Sequence, residues 1–252
     1  MPNHVRNKVK MTGIANLPLF TTKTDEYTKE QFTFFDFNKL IPMPESLNIE
    51  SGSSEDVAIE AVLRKMSKRR FGFLSNKYGK MTDDEYERRK KAHGKTDEEL
   101  AKIGLQYISN KVLYGHTTWY DWSCENWGTK WNSYDNEQVD ADTILFSTAW
   151  SNPEPIMLKL SEMYPEATIE HWWADEDMGS NDGRRVYRGG KIVEGDYCDT
   201  CSNEAYETYM ECWGESECLY KDDEGLWQKR SCEECHGCDY EVRNEEYIRR
   251  LE

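Results

Sequence analysis

The chain has 252 residues, a mean hydropathy of −0.90 and a formal net charge of −16. Aromatic residues make up 13% of it, enough large apolar surface to build a core from few aliphatics, which excludes disorder along the whole chain. No run approaches the roughly 18 apolar residues that span a bilayer, and the basic start MPNHVRNKVKMTG has no apolar h-region of a secretory signal, so no membrane partner and a cytoplasmic location are expected.

The charge is unevenly placed. Residues 1–110 hold 19 Lys+Arg against 16 Asp+Glu, a balance of +3, and residues 111–252 hold 13 against 32, a balance of −19. An acidic half of this strength repels phosphate backbones and argues against nucleic-acid binding there. It suits a basic protein partner. The plainer alternative is a solvated surface that keeps the chain soluble.

In chain order, residues 4–12 alternate Val5 and Val9 with charges and predict a strand. A second apolar run, QFTFFDFNKL at 31–40, ends at Ile41-Pro42-Met43-Pro44, where two prolines impose an extended connection. After the linker 51–55, Ala58, Ala61, Val62 and Met66 follow helical spacing. Thr82-Asp83-Asp84-Glu85 and Thr96-Asp97-Glu98-Glu99 each read as a helix start with a capping box. Leu100, Ile103, Tyr107, Ile108 and Val112 supply the apolar face of the second helix, with Gly104 interrupting it. Residues 55–113 are thus a charged helical region.

Residues 119–135, WYDWSCENWGTKWNSYD, hold Trp119, Trp122, Trp127 and Trp131. Their Gly, Asn, Asp and Ser content predicts an ordered, packed loop. Two roles compete. Trp119, Trp122, Trp127 and Trp131 with Lys130 make a platform for a ligand such as a sugar, the acidic surroundings disfavouring nucleic-acid bases. Alternatively the tryptophans form the seam between the helical region and a sheet, covering the face that two helices on one side would leave bare.

The C-terminal part predicts a strand at Thr143–Trp150, a helix at Pro155–Tyr164, a strand at Ala167–Ala174, a strand or hairpin at Arg184–Val193 with Gly189-Gly190 at its turn or bulge, a helix at Asn203–Trp213 and a last strand or hairpin at Leu219–Gln228. That order is β-α-β-β-α-β, the ferredoxin-like arrangement. The expected fold class is α+β, with an N-terminal α+β region over 1–138 and a ferredoxin-like domain over 139–252.

Seven of the eight cysteines fall between 198 and 238. Cys198-Asp-Thr-Cys201 and Cys232-Glu-Glu-Cys235 are two CxxC knuckles, and each such turn offers two thiolates to a tetrahedral ion. Structural Zn²⁺ held by Cys198, Cys201, Cys232 and Cys235 is expected, with Cys238 or His236 as a substitute ligand. It would tie the start of the second helix to the end of the last strand. Disulfides and an iron–sulfur cluster are the alternatives, and Cys212 and Cys218 are left over. Four thiolates leave no open position, so this metal would not be catalytic.

Two other sets have the chemistry for catalysis. Asp175, Glu176 and Asp177, with Asn181 and Asp182 nearby, could do acid–base work near His171. The competing reading is a polar turn between strands. Cys124 with His116 could pair a thiol with its base, although a small thiol among aromatic residues explains Cys124 as well. No phosphate-loop, dinucleotide, zinc-protease or nucleophile-elbow motif is present.

Five strings occur together: MPNHV at 1–5, FDFNKLIPMP at 35–44, NWGTKWN at 126–132, TAWS at 148–151 before a Pro-led helix, and ADED at 174–177 before a glycine. With them the chain resembles the YubB/Api-type family of phage, plasmid and integrative-element proteins, whose C-terminal part is called ferredoxin-like. The resemblance implies a fold rather than an iron–sulfur cofactor. It carries over no catalytic residue, and the Cys-rich segment is not among the features it implies. The expected function is that of a non-enzymatic accessory protein whose acidic half engages a basic host protein, in counter-defence or by mimicking DNA charge. The alternative is a small-ligand binder or enzyme using a groove between the tryptophan loop and the Asp175–Asp177 turn.

Overall fold

The computed structural model describes residues 3–14, 19–25, 27–65, 78 and 81–231. They form two compact units. A sheet unit comprises the chain up to Leu40 and from Trp131 onward, and a helical unit comprises Ile41–Lys130. These are not the sequential regions 1–138 and 139–252 expected above, because the first strand is built into the C-terminal sheet.

That strand, β1 (His4–Thr12), buries Val5, Asn7, Val9 and Met11 on one side. It lies antiparallel between β5 (Thr143–Ala149) and β6 (Thr168–Asp175), with Val9 opposite both Ile144 and His171. With β4 (Tyr134–Gln138), β7 (Gly183–Arg188) and β8 (Lys191–Tyr197) the sheet order is β4-β5-β1-β6-β7-β8. Gly189 and Gly190 have φ of +56° and +75°, as the tight β7–β8 turn requires.

Alternation along the strands makes two faces. One carries Val5, Val9, Phe146, Ile169, Trp173 and Tyr187, all fully buried. Helix α5 (Glu154–Met163) covers it over β6, β7 and β8 through Ile156, Met157 and Leu160. The hairpin β2 (Phe20–Thr24) and β3 (Gln31–Phe35) brings Phe35 to 5.4 Å from Phe146, centroid to centroid. The other face carries Lys8, Trp172, Ala174 and Arg184, and α6 (Asn203–Trp213) packs there with Tyr206, Tyr209 and Cys212 against Ala174. The helices therefore take opposite faces, and the argument that tryptophans must cover a helix-free face does not hold.

The C-terminal segment alone does not form the expected βαββαβ sheet. Leu219–Gln228 is a hairpin of β9 (Leu219–Lys221) and β10 (Trp227–Lys229) that stays a separate two-stranded sheet. The place beside β5 and β6 belongs to β1, whose nine residues bury a longer apolar face than a three-residue strand can.

In the helical unit, α1 (Ser54–Lys65), α2 (Asp83–His93) and α3 (Asp97–Tyr114) match the sequence reading. Thr82 Oγ1 caps α2, and Thr96 with Glu99 closes a complete capping box on α3. Gly104 is where α3 meets α1: a Cβ there would lie 2.1 Å from the Ala58 carbonyl oxygen. The expected tryptophan loop is in large part a helix, α4 (Trp119–Asn126), started by Thr118. Its loop-like Ser, Asn and Asp content hid the helix, which is stabilised by burial, of Ser123 as well as Trp122, rather than by propensity.

Candidate functional site

The strings that carry the family resemblance fasten the fold. Asn132 Nδ2 donates to Asp36 Oδ1 at 2.7 Å, and Asn132 Oδ1 accepts from the Phe37 amide at 3.0 Å. Burial would raise the Asp36 carboxyl, but hydrogen bonds from Asn132, Thr21 and Asn38 outweigh it and hold the group below the ordinary range. Trp127 Nε1 donates to the Ile41 carbonyl at 2.9 Å.

The candidate ligand residues divide between the units. Trp119, Trp122, Trp127 and Lys130 belong to the helical unit, and Trp131 and Asp175–Asp177 to the sheet unit. Trp122 and Trp127 are buried and meet edge to face at 5.5 Å. Trp119 is half-buried against Tyr120, over whose ring Lys130 places its Nζ at 5.6 Å. Trp131 is exposed and packs edge-on to Tyr134. His116 pairs with Glu125 at 2.9 Å, and burial pushes the half-buried Cys124 thiol up, away from the thiolate a nucleophile needs.

Asp175 is a fastening residue of the β6–β7 turn. Its Oδ1 accepts from Asn3 Nδ2 at 3.1 Å and from the Asp177 amide at 2.9 Å, and its Oδ2 from Asn181 Nδ2 at 3.2 Å. Glu176 Oε1 accepts from the His4 amide, and Asp177 lies 3.8 Å from Lys229. His171 is buried with Nε2 3.0 Å from Asn7 Oδ1. Asn7 Nδ2 already donates to the Val5 carbonyl and Thr148 Oγ1, so its Oδ1 accepts and His171 carries its proton on Nε2. Burial, with the charge of Arg185, lowers this imidazole to about 3, and it stays neutral.

Sequence reasoning named Asp182 among these polar groups but missed its burial. The residue is 1% exposed, and neither carboxylate oxygen has a hydrogen-bond partner. Burial first, then the charges of Asp175 and Asp177, raises it to about 8. Its Asp-Gly sequence is a surface-turn signature, which is why its burial was not legible.

The first CxxC knuckle is held by backbone hydrogen bonds. The Cys198 amide donates to the Asp182 carbonyl at 2.9 Å and the Cys201 amide to the Gly179 carbonyl at 2.8 Å, with Cys201 at φ +58°. Both thiols are free; burial raises that of Cys198, whose Sγ lies 3.7 Å from Thr208 Oγ1. Cys212 is a buried free thiol on the core side of α6, and Cys218 is disulfide-bonded. Cys232, Cys235, His236 and Cys238 lie outside the described residues. Among the described residues no group of three or more His, Cys, Asp or Glu side chains is placed to hold a metal.

Helix α6 carries Glu204, Glu207 and Glu211 on its exposed side, and Glu215 follows just past its end. Two clefts share Glu207 and Glu211. One, of about 400 Å³, adds Glu204, Asp196 and Cys198 to a wall of Trp172 and Arg184. The other, of about 560 Å³, adds Glu215, Lys221 and Trp227. Arg184 lies 5.3 Å from the Trp172 ring centroid and Lys221 4.9 Å from that of Trp227, so each ring already stacks with a cation of this chain. Arg184 is balanced by Glu170 and Glu194, and Lys8 by Glu211.

These features define a mixed α/β protein whose sheet unit joins the first strand to the C-terminal strands. Residues 126–220 match the family model described as the ferredoxin-like domain in Api92-like protein. The crystal structure of protein Api92 from Yersinia pseudotuberculosis aligns with 79% of this chain and 99% of its own at 12% sequence identity and a TM-score of 0.36. No curated protein matches the chain. No helix among the described residues is long and apolar enough to cross a membrane.

Proposed function

We propose that this chain is a non-enzymatic binding protein of a mobile element, and that its acidic sheet unit engages a basic host protein, as a counter-defence factor or a mimic of DNA charge. The observation that carries this reading is the concentration of charge. The sheet unit holds 17 Lys+Arg against 34 Asp+Glu, a balance of −17, and the helical unit 15 against 14. Carboxylates along α6 offer ion pairing to lysine and arginine side chains. Asp175 has both oxygens engaged and Trp122 and Trp127 are buried, so these candidates of the ligand-groove reading act in folding.

A tagged full-length chain, incubated with host lysate with and without nuclease, tests the reading. A nuclease-resistant basic partner is expected, released by high salt because exposed charges are screened. Glu204→Lys with Glu207→Lys and Glu211→Lys should lower its affinity at least about tenfold. Unchanged binding by this folded variant would sink the proposal.

The Cys198–Cys201 knuckle, its thiols free and its backbone hydrogen-bonded, fits half of a tetrahedral zinc set. We propose that Cys232 and Cys235 complete it, with Cys238 or His236 as a substitute. Metal analysis of purified chain should find about one Zn²⁺ per chain, and chelation should lower the melting temperature. A metal-free preparation that melts at the same temperature would refute it.

A further inference from the structure

The two edges of the six-stranded sheet differ. Beside β4 runs β3, whose Phe35 amide donates to Asn136 Oδ1 at 3.0 Å, and the β4 register slips between Tyr134 and Glu137. Beyond β8 no strand pairs among the described residues, and all seven residues of Lys191–Tyr197 are exposed. An open edge presents a row of backbone donors and acceptors that another chain can complete.

Resting on the basic-partner reading, we propose that the outer edge of β8 takes an extended segment of that partner as a seventh strand, with Lys or Arg at alternate positions. The ladder from β8 to β7 is continuous over Glu194–Tyr197, so the guest strand pairs along this stretch. The register sets Glu194 opposite Val186 and Asp196 opposite Arg184. Glu194 pairs with Arg184 on the α6 face, and Asp196 lines the cleft there while its carboxylate pairs with Arg185; both acids remain largely exposed. On the α6 face the acidic cleft supplies Glu204 and Glu207 as well. Every second side chain of a strand laid beside β8 projects to that face, where a cation is favoured. The intervening side chains project to the face of Ile192 and Tyr197, 37% and 49% exposed, where apolar groups are favoured. Backbone hydrogen bonds supply affinity and the alternation supplies selectivity. The same carboxylates oppose pairing of two β8 strands from two copies, since like charges across a strand pair repel.

The test uses the full-length ¹⁵N-labelled chain and synthetic heptapeptides. The parent probe alternates Lys and Val. A second has the same composition in blocks, a third replaces Lys by Thr, and two more are the parent N-methylated at the odd or at the even residues. N-methylation removes the backbone donors on one edge of the peptide and leaves its charge intact. The parent should shift the amide resonances of residues 191–197. One N-methylated form, and not the other, should bind about tenfold more weakly, the effect of a lost hydrogen bond. The block peptide should also bind more weakly. Equal binding by the parent and both N-methylated forms would overturn strand addition, while loss of that binding in the Glu204→Lys, Glu207→Lys variant would leave the basic-partner reading standing. Equal binding by the Thr peptide would overturn the requirement for lysine or arginine. No binding by any peptide would overturn the edge proposal, and the charge-reversal experiment on the captured host protein would still decide the broader reading.

Discussion

Asp175 and Asp182 stand seven residues apart in one turn and meet opposite fates. Asp175 accepts three hydrogen bonds, which satisfy its charge. Asp182 accepts none and keeps its proton to about pH 8. The unfolded chain releases that proton near 3.8. The folded state therefore binds more protons between about pH 4 and pH 8, and the stability linked to Asp182 is present below pH 4 and lost as pH rises through 8. Asp182→Asn, which cannot ionise, should raise the melting temperature at pH 8 more than at pH 5. Melting curves of the two proteins across pH 5–9 check this, and parallel profiles would show that Asp182 is ionised in the folded state. Residue identity was legible here and environment was not. Asn3, Asp36 and Asn132 could be picked out as parts of specific strings, but hydrogen bonds spanning some 96 residues (Asp36 to Asn132) or 172 residues (Asn3 to Asp175) exist only after folding.

Elements with their own local signals were read well. The caps at Thr82 and Thr96, the glycine pair in the β7–β8 turn and the helix at Asn203–Trp213 all rest on interactions between residues close in sequence. Gly104 looked like a flaw in a helix because its reason is another helix. Contact between α1 and α3 needs a residue without a side chain at that point, where a Cβ would come within 2.1 Å of Ala58 oxygen. Gly104→Ala, favourable to an isolated helix by roughly 1 kcal/mol, should instead destabilise the chain by about 1–3 kcal/mol through overpacking. Urea unfolding measures the difference, and a stabilised variant would mean that α1 and α3 can separate at little cost. Helix α4 was missed for the complementary reason: its composition is loop-like, and its regularity depends on buried tryptophans.

At the scale of the molecule, the N-terminal strand is central to a sheet formed by the last half of the chain. A chain beginning at residue 139 lacks β1, so β5 and β6 lose the partner between them and Ile144, Phe146, Ile169 and Trp173 lose a covering neighbour. It should show no cooperative thermal transition by circular dichroism, and adding a peptide of residues 1–14 should restore one. A cooperative transition in the shortened chain alone would show that the C-terminal segment closes its own sheet. By itself the sequence determined the α+β class, the charge asymmetry, most helix starts and the cysteine spacing, because each depends on composition or on neighbours within a few residues. Tertiary structure alone decided that β1 rather than β9 completes the sheet, that α5 and α6 take opposite faces, that Asp182 is buried, and that β8 is the edge strand without a further partner among the described residues. Strand pairing and burial are set by which distant surfaces exclude water together, and no local pattern encodes that choice.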